Sequence, residues 1–209
     1  MSTRAVPTVV VRRLPRYYRY LGDLLNADIK RISSGALSKK MNVTASQIRQ
    51  DFNYFGGFGQ QGYGYNVEYL YKEIGEILGI YEGHTTIIIG AGNLGKALAN
   101  YAGFEKRGFK LVGIFDNSPE KIGTEVNNVE VMDVENLEDF IQNNRVDIGI
   151  LAVPKAEAEN IASRLSACGV KGLLNFCYTD IKTNHNTVIE NVHLSDHIMM
   201  LSYNIKNQR

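Results

Sequence analysis

Cysteine is nearly absent: there are two, Cys168 and Cys177, with no CxxC pair and no histidine at metal-ligand spacing from them. This excludes a disulfide scaffold and a zinc ribbon. Both thiols sit in apolar stretches, which reads as reduced core cysteine in a cytoplasmic protein. No apolar run approaches the ~20 residues of a membrane span. A secretory signal core is missing too, because Arg12 and Arg13 interrupt the apolar Val9–Val11. There is no internal repeat. Neither a membrane nor a metal is an expected partner.

Net charge is also small, at +1, but its distribution is uneven. Residues 1–60 hold ten Lys and Arg against three Asp, a surplus of seven positive charges, and the remainder carries a surplus of six negative ones. Such asymmetry fits one end meeting a polyanion, or simply a solvated basic surface. A length of 209 residues suits one large domain or two small ones, and 44% hydrophobic residues supply at least one sizeable core.

Leu14, Tyr17, Tyr18, Leu21, Leu24 and Leu25 follow helical spacing, which predicts an amphipathic helix over roughly 13–27. Ser33 or Ser34 caps a second helix, about 34–41. Thr44-Ala45-Ser46-Gln47 is a capping box that opens a third, with Ile48, Phe52 and Phe55 on its inner face. A fourth helix covers about 67–79. Between the third and fourth, five glycines interleave with aromatics over residues 56–65. Three short helices and a Gly-rich hairpin describe a winged helix-turn-helix domain, whose third helix enters the major groove.

The exposed side of that helix, Thr44, Ala45, Ser46, Gln47, Arg49 and Gln50, suits base reading. Arg49 is apt for guanine and a glutamine for adenine. Asp51 sits awkwardly near phosphates and is expected to face away or pair internally. In the wing, Gly59 and Gly62 let a hairpin approach the backbone of DNA, Gln60 and Gln61 donate to it, and Tyr63 is a further candidate DNA contact. A flexible linker is the alternative. Arg12, Arg13 and Arg16 neutralise phosphates or follow a narrow minor groove.

After Tyr81–His84, an expected interdomain joint, the pattern changes. Strands at Thr85–Ile89, Leu111–Phe115, Val146–Val153 and Gly172–Phe176 alternate with helices at about 93–103, 134–144 and 155–168. That alternation predicts a Rossmann-type, doubly wound parallel sheet. Gly90-Ala91-Gly92-Asn93-Leu94-Gly95 is a GxGxxG that follows a strand and opens a helix, the context that raises its specificity. Gly90 permits the turn, Gly92 admits a pyrophosphate, and Gly95 lets helix and strand pack closely. The amides of Asn93 and Leu94 favour an anion.

Asp116 ends the second strand, where an acid accepts both ribose hydroxyls and repels a 2′-phosphate, so NAD(H) is favoured over NADP(H). Lys121 lies near the adenine or is merely solvated. Val153-Pro154 and Asn175-Phe176 end strands on the ligand-binding edge. Tyr101 and Phe104, placed along the first Rossmann helix, are candidates for the nicotinamide side. Residues in such positions are more often plain core. The alternative is a Rossmann domain holding another nucleotide, or none.

Nothing calls for catalysis. About 25 residues follow the nucleotide fold, too few for a substrate domain. His84, His185, His193 and His197 read as surface or packing residues. The remaining rivals are a small NAD-dependent oxidoreductase with an N-terminal dimerisation module, and a nucleotide- or CoA-binding accessory protein without DNA.

These residues resemble the Rex family of redox-sensing transcriptional repressors. The resemblance runs in order through Arg13–Leu21, Gln47–Gly56, Gly62–Tyr65, Gly90–Gly95, Tyr101–Phe104, Phe115-Asp116, Val153-Pro154 and Gly172–Phe176. It implies a homodimer that represses genes from a palindromic double-stranded operator when NADH is scarce and leaves it when NADH binds. It also implies a C-terminal helix swapped between subunits. That segment is apolar nearly all round (Ile198, Met199, Met200, Leu201, Tyr203, Ile205), with a cap expected at Ser195 or Asp196. His193 departs from the family, whose members commonly carry Asp there. The expected organisation is 1–82 winged helix, 83–187 Rossmann and 188–209 dimerisation segment. NADH and NAD⁺ differ only at the nicotinamide, so sensing is expected at that end, through Tyr101 and Phe104.

Overall fold

Side-chain caps begin three helices of the N-terminal half, at Ser33, Thr44 and Asn66. The computed structural model describes residues 6–55, 59–60, 63–183 and 186–208. Its chain divides into two units, Met1–Tyr81 and Glu82–Arg209. In the first, α1 (Thr8–Val11) leads into α2 (Leu14–Asn26), which has Pro15 in its first turn, where a missing N–H costs nothing. A short strand, β1 (Arg31–Ile32), follows.

Ser33 Oγ accepts from Ala36 N–H at 3.0 Å and opens α3 (Ser34–Met41). Thr44 Oγ1 accepts from Gln47 N–H at 3.1 Å and opens α4 (Ala45–Asn53). Only that half of the capping box forms, because the Gln47 side chain turns to Asp51. Between the two helices Asn42 takes a left-handed conformation, φ 52°, that a tight helix-turn-helix connection needs. Phe55, expected on the inner face of α4, lies past its end and is half-buried.

The strands β2 (Gly59–Gln60) and β3 (Gly64–Asn66) pair antiparallel, and β3 pairs with β1 on its other side. Gly64 has φ +70°, and a Cβ there would come 2.8 Å from the Ile32 carbonyl oxygen. Gln61 and Gly62 of the expected wing tip lie outside the described residues, as does 56–58. Asn66 caps α5 (Val67–Ile77). Leu14, Tyr17, Leu21, Leu37, Ile48, Phe52, Leu70 and Ile74 form the core of this unit, all but fully buried.

The second unit runs β4 (His84–Ile89), α6 (Asn93–Ala99), β5 (Phe109–Asp116), β6 (Glu125–Val126), β7 (Val129–Asp133), α7 (Leu137–Asn143), β8 (Ile148–Leu151), α8 (Lys155–Ala167), β9 (Gly172–Asn175), β10 (Val188–Asn191) and α9 (Leu194–Asn207). The strand order is β10-β9-β8-β4-β5-β7-β6, parallel throughout except for β6 against β7. From β4 the chain moves outward to β5 and β7, then returns past β4 to β8. The order therefore reverses between β4 and β8, and such a switch point leaves a crevice at the strands' carboxyl ends. Consecutive isoleucines face opposite sides. Ile87 and Ile89 pack with Leu137, Ile161 and Leu165 of α7 and α8, whereas Ile88 packs with Ala99, Ile114 and Ile150.

Two sequence expectations change here, and one element is new. The helix expected over 93–103 ends at Ala99, so Tyr101 and Phe104 follow it rather than lie along it. The Tyr101 ring lies over Gly103, where a Cβ would collide with it. The hairpin β6–β7 was not foreseen. It turns on Asn127 and Asn128, whose φ of 52° and 60° match a type I′ turn. The last helix starts after His193, with no side-chain cap bond, so neither Ser195 nor Asp196 caps it. Both residues fall inside its first turn. Among the described residues no helix is long and apolar enough to cross a membrane, and no three His, Cys, Asp or Glu gather around a metal position.

Candidate functional site

At the end of β4 the chain turns on Gly90, φ +103°, whose amide bonds Phe115 O at 2.7 Å. A Cβ on Gly90 would collide with the Ala152 carbonyl, and one on Gly95 would collide with the Gly90 carbonyl. Gly92 is different: a Cβ there would meet nothing within 4 Å. Its lack of a side chain serves the space outside the protein, not the packing inside. As N-cap of α6 it also offers no side chain to the first-turn amides. The three glycines thus separate into two that let elements approach and one that faces open space.

Asp116 closes the loop from β5. Its Oδ2 accepts from Ala91 N–H at 2.7 Å and its Oδ1 from Ser118 N–H at 2.9 Å. Lys121 Nζ reaches both oxygens, at 3.0 and 3.3 Å. Burial alone would raise this carboxyl's pKa. The Ser118 and Ala91 amides and Lys121 outweigh burial and hold it below the ordinary range, so it is an anion at neutral pH.

A cavity of about 490 Å³ opens here, lined by Gly90, Gly92, Asn93, Leu94, Asp116, Lys121, Val153 and Pro154 among others. The structure therefore brings together most of the cofactor residues expected from sequence. It adds Asn117, Ala152, Glu157 and Ile161. The last two stand four apart on α8, which begins directly after Pro154, a spacing that was visible in the sequence. Ala91 itself is buried beneath the loop.

Tyr101 and Phe104 do not join this cavity. They stack edge to face at 5.1 Å and line a separate one of about 180 Å³, beside Asn127 and Asn128. Phe176 packs against the core of that same sheet face.

In the first unit α4 presents Thr44, Ser46, Arg49 and Gln50 outward, with Ala45 and Gln47 half-buried. Arg49 Nη1 donates to Ser34 Oγ at 3.1 Å. Arg12 and Arg16 are exposed, as is Arg19, which the sequence reading passed over although it lies one turn from Arg16. Arg13 is engaged: it donates to both Asp51 oxygens at 2.7 Å, and Tyr17 Oη and Gln47 Nε2 complete the shell at 2.8 and 2.9 Å. Burial opposes the Asp51 charge, but these donors prevail and keep its pKa low. Arg31 Nη1 donates to Tyr63 O at 3.3 Å, tying β1 to the start of the returning wing strand, and Tyr63 itself is 73% exposed.

The described histidines lie apart from the cavity lining. His84 stands at the opposite, amino end of β4, near Glu82 and Asp147, and Asp147 is clamped by Lys171 at 2.8 Å and Arg145 at 2.9 Å. His193 follows β10 and pairs with the exposed Asp180 at 3.1 Å, the one described histidine with a carboxylate beside it near a strand's carboxyl end. His197 is exposed, and His185 lies outside the described residues. Burial raises the pKa of both cysteine thiols, which keeps them protonated.

A glycine-loop Rossmann sheet closed by a strand-end aspartate, in one chain with a winged helix-turn-helix unit, defines a ligand-responsive transcription regulator. Comparison with known proteins agrees for both halves. Residues 5–53 match the family described as "Putative DNA-binding protein N-terminus", and residues 82–179 match "CoA binding domain". The chain belongs to the Rex family of redox-sensing transcriptional repressors. It is 57% identical over its whole length to the redox-sensing transcriptional repressor Rex of Thermoanaerobacter sp. (strain X514), covering 93% of that protein. It is 50% identical to that of Clostridioides difficile (strain 630), covering 99% of this chain and 98% of the relative.

Among solved structures, RSP in complex with β-NAD⁺ and operator DNA matches with a TM-score of 0.92 and 56% identity, over 98% of this chain and 94% of that one. RSP in complex with β-NADH matches at 0.91 and 53% identity, over 98% and 96%.

Proposed function

We propose that this protein is a transcriptional repressor that reads the NADH/NAD⁺ balance, holds a palindromic operator as a homodimer and leaves it when NADH binds. The observation that carries the ligand assignment is Asp116, a buried anion joined to the glycine loop through Ala91 N–H. The cradle fits a dinucleotide. The open space at Gly92 and the amides of Asn93 and Leu94 suit a pyrophosphate, and Asp116 suits the adenosine ribose hydroxyls. RSP, solved with both β-NAD⁺ and β-NADH, supports the same assignment over a CoA-type ligand. When bound, the dinucleotide supplies the redox signal, because its nicotinamide is cationic only when oxidised. The residues around that ring decide which form is held, since an apolar surround disfavours the charged one.

On the DNA side, α4 enters the major groove and Arg49 and Gln50 address bases. Arg12, Arg16 and the wing residues Gly59, Gln60 and Tyr63 grip the backbone. Arg13 and Gln47 act from behind, by fixing Asp51 and hence the pose of α4. The dimer forms through α9. That helix has no buried residue, and Ile198, Met200 and Tyr203 are 67%, 63% and 68% exposed, a patch that demands a partner. An apolar groove of about 270 Å³ along β8 and β9, lined by Phe104, Phe109, Ile150 and Leu174, offers a surface of the same character. The protein works in the cytoplasm and is not an enzyme.

Fluorescence anisotropy with a labelled fragment of the gene's own promoter tests this reading. Binding that steepens at low salt and is reversed by NADH but not by NAD⁺ supports it. NADH turnover with no DNA binding supports an oxidoreductase instead.

A further inference from the structure

The Asp116 carboxylate is already saturated. A carboxylate accepts at about four lone-pair positions, and Ala91 N–H, Ser118 N–H and two contacts from Lys121 Nζ use them. A ribose diol that reaches Asp116 must therefore take the place of a donor. The two amides cannot leave. Gly90 N–H is tied to Phe115 O at 2.7 Å beside Ala91, and the turn after Asp116 is closed by Lys121 N–H and Ile122 N–H on Ser118 O, at 2.9 and 3.2 Å. The lysine side chain is 36% exposed on a flexible stem and is free to swing. Its Cα stays fixed in that turn, so the displaced ammonium remains beside the carboxylate, where a ribose 2′-oxygen would sit.

Resting on the dinucleotide reading above, we propose that Lys121 determines how strictly the cradle refuses a 2′-phosphorylated dinucleotide. Asp116 alone repels a 2′-phosphate. Lys121 offsets that repulsion by offering the phosphate a cation, and for the unphosphorylated dinucleotide it merely gives up its place. The residue thus narrows the preference for NADH over NADPH instead of enforcing it.

The experiment titrates the full chain with NADH by its fluorescence and displaces it with NADPH, in the wild type, Lys121→Ala, Lys121→Gln and Lys121→Arg. The side chain is partly exposed and caps no helix, and melting curves of the variants check that each is folded. The ratio of dissociation constants, NADPH over NADH, is expected to widen about fivefold in the Ala and Gln variants, the scale of a solvent-screened ion pair. It stays within twofold of wild type in the Arg variant. Salt is expected to weaken NADPH more than NADH in the wild type, and this difference shrinks in the neutral variants. A ratio unmoved in both Ala and Gln variants overturns the role of Lys121 while leaving the cradle assignment intact. A wild type that binds neither dinucleotide overturns that assignment itself.

Discussion

Asp51, on α4, holds the guanidinium of Arg13 through two hydrogen bonds of 2.7 Å, across 38 positions of sequence. The carboxylate is fully buried and Arg13 is 23% exposed. An acid on a helix meant for DNA would repel phosphate. Here its charge is spent inside, and the pair fastens the start of α2 to the back of α4. Removing one partner of a buried pair strands the other. Asp51→Ala is expected to lower the stability of the first unit by about 3 kcal/mol, and Asp51→Asn by less, read from denaturant unfolding of the full chain. The pair also sets an acid limit. The folded pKa of Asp51 is depressed, so its stabilisation is complete above the unfolded value of ~3.9 and is lost as pH falls through the lower folded value. Unfolding midpoints should hold level from pH 7 to about 5 and drop below about 4.

The glycines of the phosphate loop make separable predictions. Gly92→Ala meets open space at an ordinary φ of −76°, so its melting temperature should match wild type while NADH affinity falls at least about tenfold, because the methyl occupies the pyrophosphate's approach. Gly95→Ala drives a Cβ into the Gly90 carbonyl and should lose both stability and binding. If Gly92→Ala binds NADH normally, the bay at Gly92 is not where the ligand lies.

These two sites show what a sequence discloses and what it withholds. Local signals were legible: the GxGxxG between strand and helix, Asp116 at a strand end, and the caps at Ser33 and Thr44. That Asp51 would face away or pair internally followed from its charge on a helix expected to lie near phosphates, but nothing local named Arg13 as its partner, since only the packing of α2 on α4 joins them. Glu157 and Ile161 line the cavity because of the phase at which α8 leaves β8, which periodicity alone does not set. Tyr101 and Phe104 were misplaced because α6 stops at Ala99, leaving Asn100 and Gly103 to turn the chain. The Asn127-Asn128 pair is itself a local hairpin signal, since both residues tolerate the positive φ a type I′ turn needs.

The exposed arginines should divide by role. Arg49→Ala is expected to cost operator affinity by roughly 1–3 kcal/mol and to relax preference at one base pair. Arg16→Ala should weaken operator and random DNA alike and flatten the log affinity against log salt slope by about 1. Anisotropy titrations over a salt series, on both DNAs, distinguish them. Equal loss of sequence preference in the two variants would remove the distinction.

Charge placed on α9 should cost assembly without cost to the fold. Ile198→Glu and Met200→Glu alter side chains more than half exposed in the single chain. Sedimentation velocity is expected to show monomer where wild type shows dimer, and operator affinity should fall with it, because a palindrome is read by two helices at once. Variants that remain dimeric would place the interface elsewhere.

The central claim is that ligand held by the glycine loop and DNA held by α4 oppose each other. Binding linkage makes this reciprocal: the factor by which NADH weakens the operator must equal the factor by which the operator weakens NADH. Calorimetric titration of NADH into the protein, alone and saturated with operator, measures the second factor directly. The account predicts a weakening of roughly 5- to 150-fold that matches the anisotropy result, with NAD⁺ showing little or none. An NADH affinity unchanged by saturating operator would contradict it.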